Sequence, residues 1–118
     1  MRGDRRAAER RGHAAEAIAA LLLRAKGFRI LARRFRSPAG EIDLVAKRGR
    51  VLAFVEVKRR ADTARAAEAV TAKGQTRIAR AAEHFLLRHP RWAGCDLRFD
   101  AILIGGGWPR HIPDAWRP

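Results

Sequence analysis

The sequence predicts an α/β fold, a mixed β-sheet flanked by helices in the order α-β-β-β-α-β. Three features lead there. Residues 12–26 carry apolar side chains at helical spacing, and residues 41–47 (EIDLVAK) and 51–58 (VLAFVEVK) alternate with period two. An Ala-rich helical stretch then precedes a further strand, residues 97–104. At 118 residues and 13.2 kDa the chain has room for one domain, 1–118, with one core.

Residues 1–11 (MRGDRRAAERR) form a basic arm, either frayed or already the first turns of a helix. The helix over 12–26 stops at Gly27. Ala14, Ile18, Leu21, Leu22 and Ala25 share the face expected to be core. Gly12, Glu16, Ala19, Ala20 and Leu23 form a second, nearly as apolar stripe in which Glu16 is the only charge. A helix apolar on two faces is expected to be covered on both, which leaves Glu16 semi-buried or facing a cleft.

Residues 28–35 form the first strand, turned by Ser37-Pro38-Ala39-Gly40. In the second strand Ile42, Leu44 and Ala46 face one way, and Glu41, Asp43 and Val45 the other. In the third, Val51, Ala53, Val55 and Val57 oppose Leu52, Phe54, Glu56 and Lys58. Residues 61–89 read as loop and then helix. Its core stripe is Ile78, Ala81, Ala82 and Phe85, and its basic stripe Lys73, Arg77, Arg80, His84 and Arg88. Pro90 ends it. Residues 105–107, all glycine, turn the chain after the last strand, and 108–118 read as a short Pro-rich tail. Trp92, Trp108 and Trp116 are expected to cap a core kept small by the abundance of alanine.

Charge narrows the function. Lys and Arg number 26 against 12 acids, a net charge of +14. A surface that positive concentrates polyanions, so nucleic acid is the expected partner. One cysteine, Cys95, excludes an internal disulfide, and it has no Cys or His neighbour at zinc-ligand spacing. No apolar run approaches the ~20 residues of a membrane span. A cytoplasmic protein with no membrane partner is the expectation. The histidines at 13, 84, 89 and 111 form no metal or triad pattern.

The chemistry lies in the hairpin. Two registers keep the apolar faces of its strands together. A four-residue loop sets Asp43 opposite Glu56; a two-residue loop sets Glu41 there, with Asp43 opposite Phe54. In both, Asp43 and Glu56 lie directly or diagonally across from each other. Facing carboxylates repel, and a divalent cation is the usual remedy. Mg²⁺ takes one or two carboxylates plus waters and substrate phosphate. Lys58, two residues after Glu56, places an ammonium beside that cation. Metal, water and lysine beside a phosphodiester make a phosphoryl-transfer site. The competing interpretation is a solvated ion-pair cluster on the sheet.

Glu16, Asp43 and Glu56-Val57-Lys58 in this element order resemble the PD-(D/E)xK nuclease superfamily with its restriction-endonuclease-like fold. More narrowly, GHAAEAIAALLLRAKGFRIL, GEIDLVA, FVEVKRR, RFDAILI and HIPDAW resemble the YraN family of small bacterial proteins over residues 11–117. The resemblance implies Asp43 and Glu56 as ligands of Mg²⁺ or Mn²⁺ and Lys58 as the catalytic lysine. It makes Glu16 the helix acid of the Holliday-junction-resolvase-like branch. Glu41-Ile42 precedes Asp43 where the superfamily motif has a proline.

Arg36, Arg59 and Arg60 are expected at the same end of the sheet as phosphate contacts, with Lys73 and Arg77 as a second nucleic-acid-binding set. The expected function is a metal-dependent endonuclease on DNA rather than RNA, structured or branched DNA included. Nucleases of this architecture often act as homodimers. The alternative is a nucleic-acid-binding protein that keeps the fold and does not cut.

Overall fold

A computed structural model describes residues 2–59 and 72–118, with the side chains of 2–11 left aside. Helix α1 spans Arg2–Ala25 and strands β1, β2 and β3 span Arg29–Ser37, Gly40–Arg48 and Val51–Arg59. Helix α2 spans Ala72–Arg88, a 3-10 turn Pro90–Trp92, and strands β4 and β5 Asp96–Ile104 and Arg110–Trp116. The five strands lie in chain order, antiparallel except for the parallel β3/β4 pair. This is the α/β core the resemblance implies, with a fifth strand where a Pro-rich tail was expected. No helix among the described residues is long and apolar enough to cross a membrane.

The basic arm is helical, so α1 begins ten residues before the expected start. Its end is set by Gly27, at φ 90°. There the Phe28 N–H donates to the Leu23 carbonyl (2.9 Å) and the Gly27 N–H to that of Arg24 (3.0 Å). These two bonds satisfy carbonyls the helix leaves open, and Phe28 packs back into the cluster that holds Leu23.

The buried face of α1 is the second stripe, which corrects the expected core face. Ala15, Glu16, Ala19, Ala20 and Leu23 are buried, while Ile18 and Leu21 are 41% and 63% exposed. Small side chains let the helix backbone approach the sheet, where Leu44, Ala46, Ala53 and Val55 meet it. On the opposite face α2 buries Ala81, Ala82 and Phe85 against Ile42, Val45, Leu52 and Phe54. The α2 stripe is the expected one.

Ile42 therefore faces α2, together with Val45, and not Leu44 and Ala46 as strict alternation requires. The reason is a shared irregularity in β1 and β2. Arg34, at φ 51°, lies between the pairs Arg33↔Leu44 and Phe35↔Ile42, across from Asp43. Phe35 packs on Phe85 of α2 and Leu44 on the α1 side. Both strands thus lose one step of alternation at this pair, and Arg34 and Asp43 turn toward α1. The hairpin takes the register in line with Asp43 opposite Glu56. Its ladder runs to Arg48↔Val51, so the turn is two residues, Gly49-Arg50, and not four.

Candidate active site at a fork in the sheet

At its other end the β2/β3 ladder stops at Leu44↔Val55. Beyond that point β2 stays paired with β1 as far as Gly40, and β3 stays with β4 as far as Arg59. The sheet forks there, and Asp43 bridges the gap: its Oδ2 accepts the Val57 N–H at 2.7 Å. A side-chain oxygen replaces the main-chain acceptor that the splayed strand no longer supplies. The carboxylate is thereby fixed in place and still has its second oxygen.

Asp43 lines a cavity of about 560 Å³ with Ala15, Glu16, Arg34, Arg36, Val57, Lys58 and Arg59. Burial, and then the charge of Glu56, push the Asp43 carboxyl up to about 7; the Val57 N–H and Lys58 oppose the rise, and Glu16 adds to it. A carboxylic acid in this setting gains from a compensating positive charge. Glu56 does not line the cavity itself. Its Oε1 lies 2.9 Å from Lys58 Nζ, which does.

Glu16 is only 4% exposed. Its Oε1 accepts from Arg33 Nε at 3.0 Å and its Oε2 meets Arg34 Nε at 2.9 Å. Consecutive strand residues ordinarily point to opposite faces. Both reach Glu16 because of the left-handed backbone at Arg34. His13 Nε2 lies 2.6 Å from Arg34 Nη1 on the outer side. The helix acid is thus paired at both oxygens and shares the cavity with Asp43.

Of the expected phosphate contacts, Arg36 and Arg59 line the cavity, and Arg36 also pairs with Glu41 at 3.4 Å. Arg60 lies outside the described residues. Lys73 and Arg77 do not join the cavity. With Thr76 and Arg80 they face Pro38 and Ala39 in the β1–β2 turn, at the fork end of the sheet. Gly40 permits that approach. A Cβ there would lie 2.8 Å from Arg77 Cγ and Cδ, and its φ of 150° disfavours side chains.

Asp43, Glu56, Val57 and Lys58 all lie within a stretch that a protein-family profile matches. A profile of the Uncharacterised protein family UPF0102 covers residues 15–104. The chain belongs to this family. A UPF0102 protein of Parvibaculum lavamentivorans is 58% identical over 113 residues, 95% of this chain and 85% of the relative. One from Rhodopseudomonas palustris strain BisB18 is 57% identical over 96% of this chain and 84% of its own length. One from Methylorubrum extorquens is 51% identical over 95% and 88%. The resemblance to the YraN family thus stands as UPF0102 membership.

A second polar cluster in this UPF0102 chain was only partly legible. Asp100, the second acid of β4 after the exposed Asp96, is fully buried. It takes both Arg98 Nε (2.8 Å) and Nη2 (2.9 Å), His111 Nε2 (2.8 Å) and the Asp114 N–H (3.0 Å). Burial alone would raise its pKa; the bonds from His111, Arg98 and Asp114 outweigh it and hold the carboxyl at about 2. Arg98 and Asp100, two apart on one strand, were readable as a pair. His111 arrives from the regular pair with Ile102, and Asp114 through an irregularity in β5, between Ile112 and Trp116, that no sequence period signals. Trp116 caps the core and Trp92 packs at its margin as expected, but Trp108 is 90% exposed.

Proposed function

We propose that this protein is a divalent-cation-dependent nuclease that hydrolyses phosphodiester bonds of DNA, structured or branched DNA included. The supporting observation is the fork: a partly buried carboxylate, Asp43, held by a main-chain N–H beside the Glu56–Lys58 pair, in a cavity rimmed by arginines. A pure binding surface has no use for carboxylates aimed at phosphate.

The donor chemistry fits Mg²⁺ or Mn²⁺, which take hard oxygen ligands. Among the described residues no three His, Cys, Asp or Glu side chains converge. Asp43 and Glu56 would hold the cation as two carboxylates, with water and substrate phosphate completing its shell. When bound, the cation supplies a polarised water and neutralises charge on the phosphate. Asp43 keeps its aim through Val57. Lys58 presents its ammonium to the reacting phosphate from the cavity wall, and Arg36 and Arg59 neutralise the flanking phosphates. Glu16 acts as a positioning residue, holding Arg34 at the rim and Arg33 beside it.

The test is incubation of labelled duplex, single-stranded, nicked and four-way-junction DNA with Mg²⁺, Mn²⁺ or EDTA, using wild type and Asp43→Ala purified identically. Cutting that requires the cation and disappears in the variant supports the nuclease. Equal cutting by Asp43→Ala overturns it. A second reading, a binder that does not cut, is favoured by one observation: Glu16 and Glu56 are already occupied by Arg33, Arg34 and Lys58. It predicts tight DNA binding with no product under any cation.

A further inference from the structure

We propose that Trp108 is a base-stacking residue that suits the fork site to nucleic acid with unpaired bases. This rests on the nuclease reading and names the class of substrate.

The placement follows from strand register. Lys58 pairs with Leu103 across β3/β4, and Leu103 pairs with Arg110 across β4/β5, so these three residues share one row of the sheet. Arg59↔Ile104 is the next row, and beyond it the chain turns through Gly105, Gly106, Gly107 and Trp108. Trp108 therefore stands at the end of the sheet where the fork opens. Two strand spacings across and two residues along place it ~12 Å from Lys58. That distance is roughly three to four base steps along a stacked strand.

The surroundings match the chemistry of a stacking platform. Trp108 is the most exposed large hydrophobic side chain among the described residues. Its neighbours supply cations and little bulk: Arg110 is exposed, and Arg59 lines the cavity at the same end. Single-stranded nucleic acid is held by this pairing of an exposed aromatic face with backbone-neutralising cations. The three glycines have φ values of 106°, 65° and 127°, backbone that residues with a Cβ rarely adopt. A Cβ at Gly107 would meet nothing within 4 Å, so packing does not require glycine there. The turn instead presents one large, exposed side chain directly after three glycines. A second copy of a chain carrying +14 is a poor occupant for this tip, whereas a polyanion with exposed bases is a good one.

The test uses the full chain with EDTA present, so that binding is read without cutting. Wild type, Trp108→Ala and Trp108→Phe are titrated with fluorescein-labelled single-stranded DNA and with blunt duplex of the same length. We expect Trp108→Ala to lose about tenfold in affinity for the single strand and less than about twofold for the duplex, with Trp108→Phe restoring most of the loss. Tryptophan emission should be quenched by the unlabelled single strand in wild type and much less in Trp108→Ala. Equal affinities of wild type and Trp108→Ala for the single strand, or equal losses on both DNAs, overturn the stacking role and leave the basic site standing. A wild type that binds neither DNA removes the nuclease reading and this proposal with it.

Discussion

Two aspartates in this fold, the buried Asp100 and the partly buried Asp43, are shifted in opposite directions. Asp100 accepts four hydrogen bonds and is held at about 2, below its ordinary 3.8. A depressed pKa contributes stability that is complete above the unfolded value and is lost as pH falls through the folded one. Asp100→Asn should cost about 2–4 kcal/mol at pH 7 by leaving Arg98 and His111 with poorer partners. That difference should shrink between pH 4 and 2, roughly the span of the two pKa values, as urea denaturation would read it. Asp43 is raised from 3.8 to about 7, so its burial opposes folding increasingly from pH 4 upward and fully above 7. Asp43→Asn keeps an acceptor for the Val57 N–H and should raise the Tm in EDTA at pH 8, with little change at pH 4. The strand positions of Asp43, Glu56 and Lys58 were legible because their spacing is local, but the face Asp43 takes was not, because alternation breaks beside it. Which groups surround them was not, since Arg33 and Arg34 both reach Glu16 only through one left-handed residue.

Helix α1 offers two apolar stripes, and residue size alone favoured the wrong one. The buried stripe is made mostly of alanines, because close approach to the sheet rewards small side chains, while Ile18 and Leu21 remain in water. Leu21→Ser should therefore change stability by no more than about 0.5 kcal/mol, whereas Leu23→Ala should cost about 2–5 kcal/mol in chemical denaturation. The α2 stripe was legible because most of its polar positions are basic and the apolar ones at helical spacing gather on one face. The parity of β2 was not, because period-two reasoning assumes an unbroken strand and Arg34 breaks the step. Gly40 ties these elements together. Gly40→Ala should cost about 1 kcal/mol or more through its backbone, and should displace Arg77 from the β1–β2 turn.

Across the whole molecule, the order of elements and the excess of arginine were readable at once, since both are properties of the chain rather than of contacts. The fifth strand and the exposed Trp108 were not, because a Pro-containing tail gives a weak strand signal and burial depends on what is opposite. Two basic groups lie at the fork end of the sheet among the described residues, the cavity rim with Arg36 and Arg59 and the α2 patch with Lys73 and Arg77. Duplex affinity should fall with salt by about 0.9 log unit per log unit of salt for each phosphate neutralised. Lys73→Ala or Arg77→Ala should each lower that slope by about one, without changing any cation dependence. Under the proposed function Asp43 and Glu56 hold a divalent cation at the fork. Calorimetric titration of Mn²⁺ into wild type and Asp43→Asn, without nucleic acid, addresses it directly. One site per chain in wild type that is absent in Asp43→Asn is the expected result; the same binding in both proteins, or none in either, would contradict the claim.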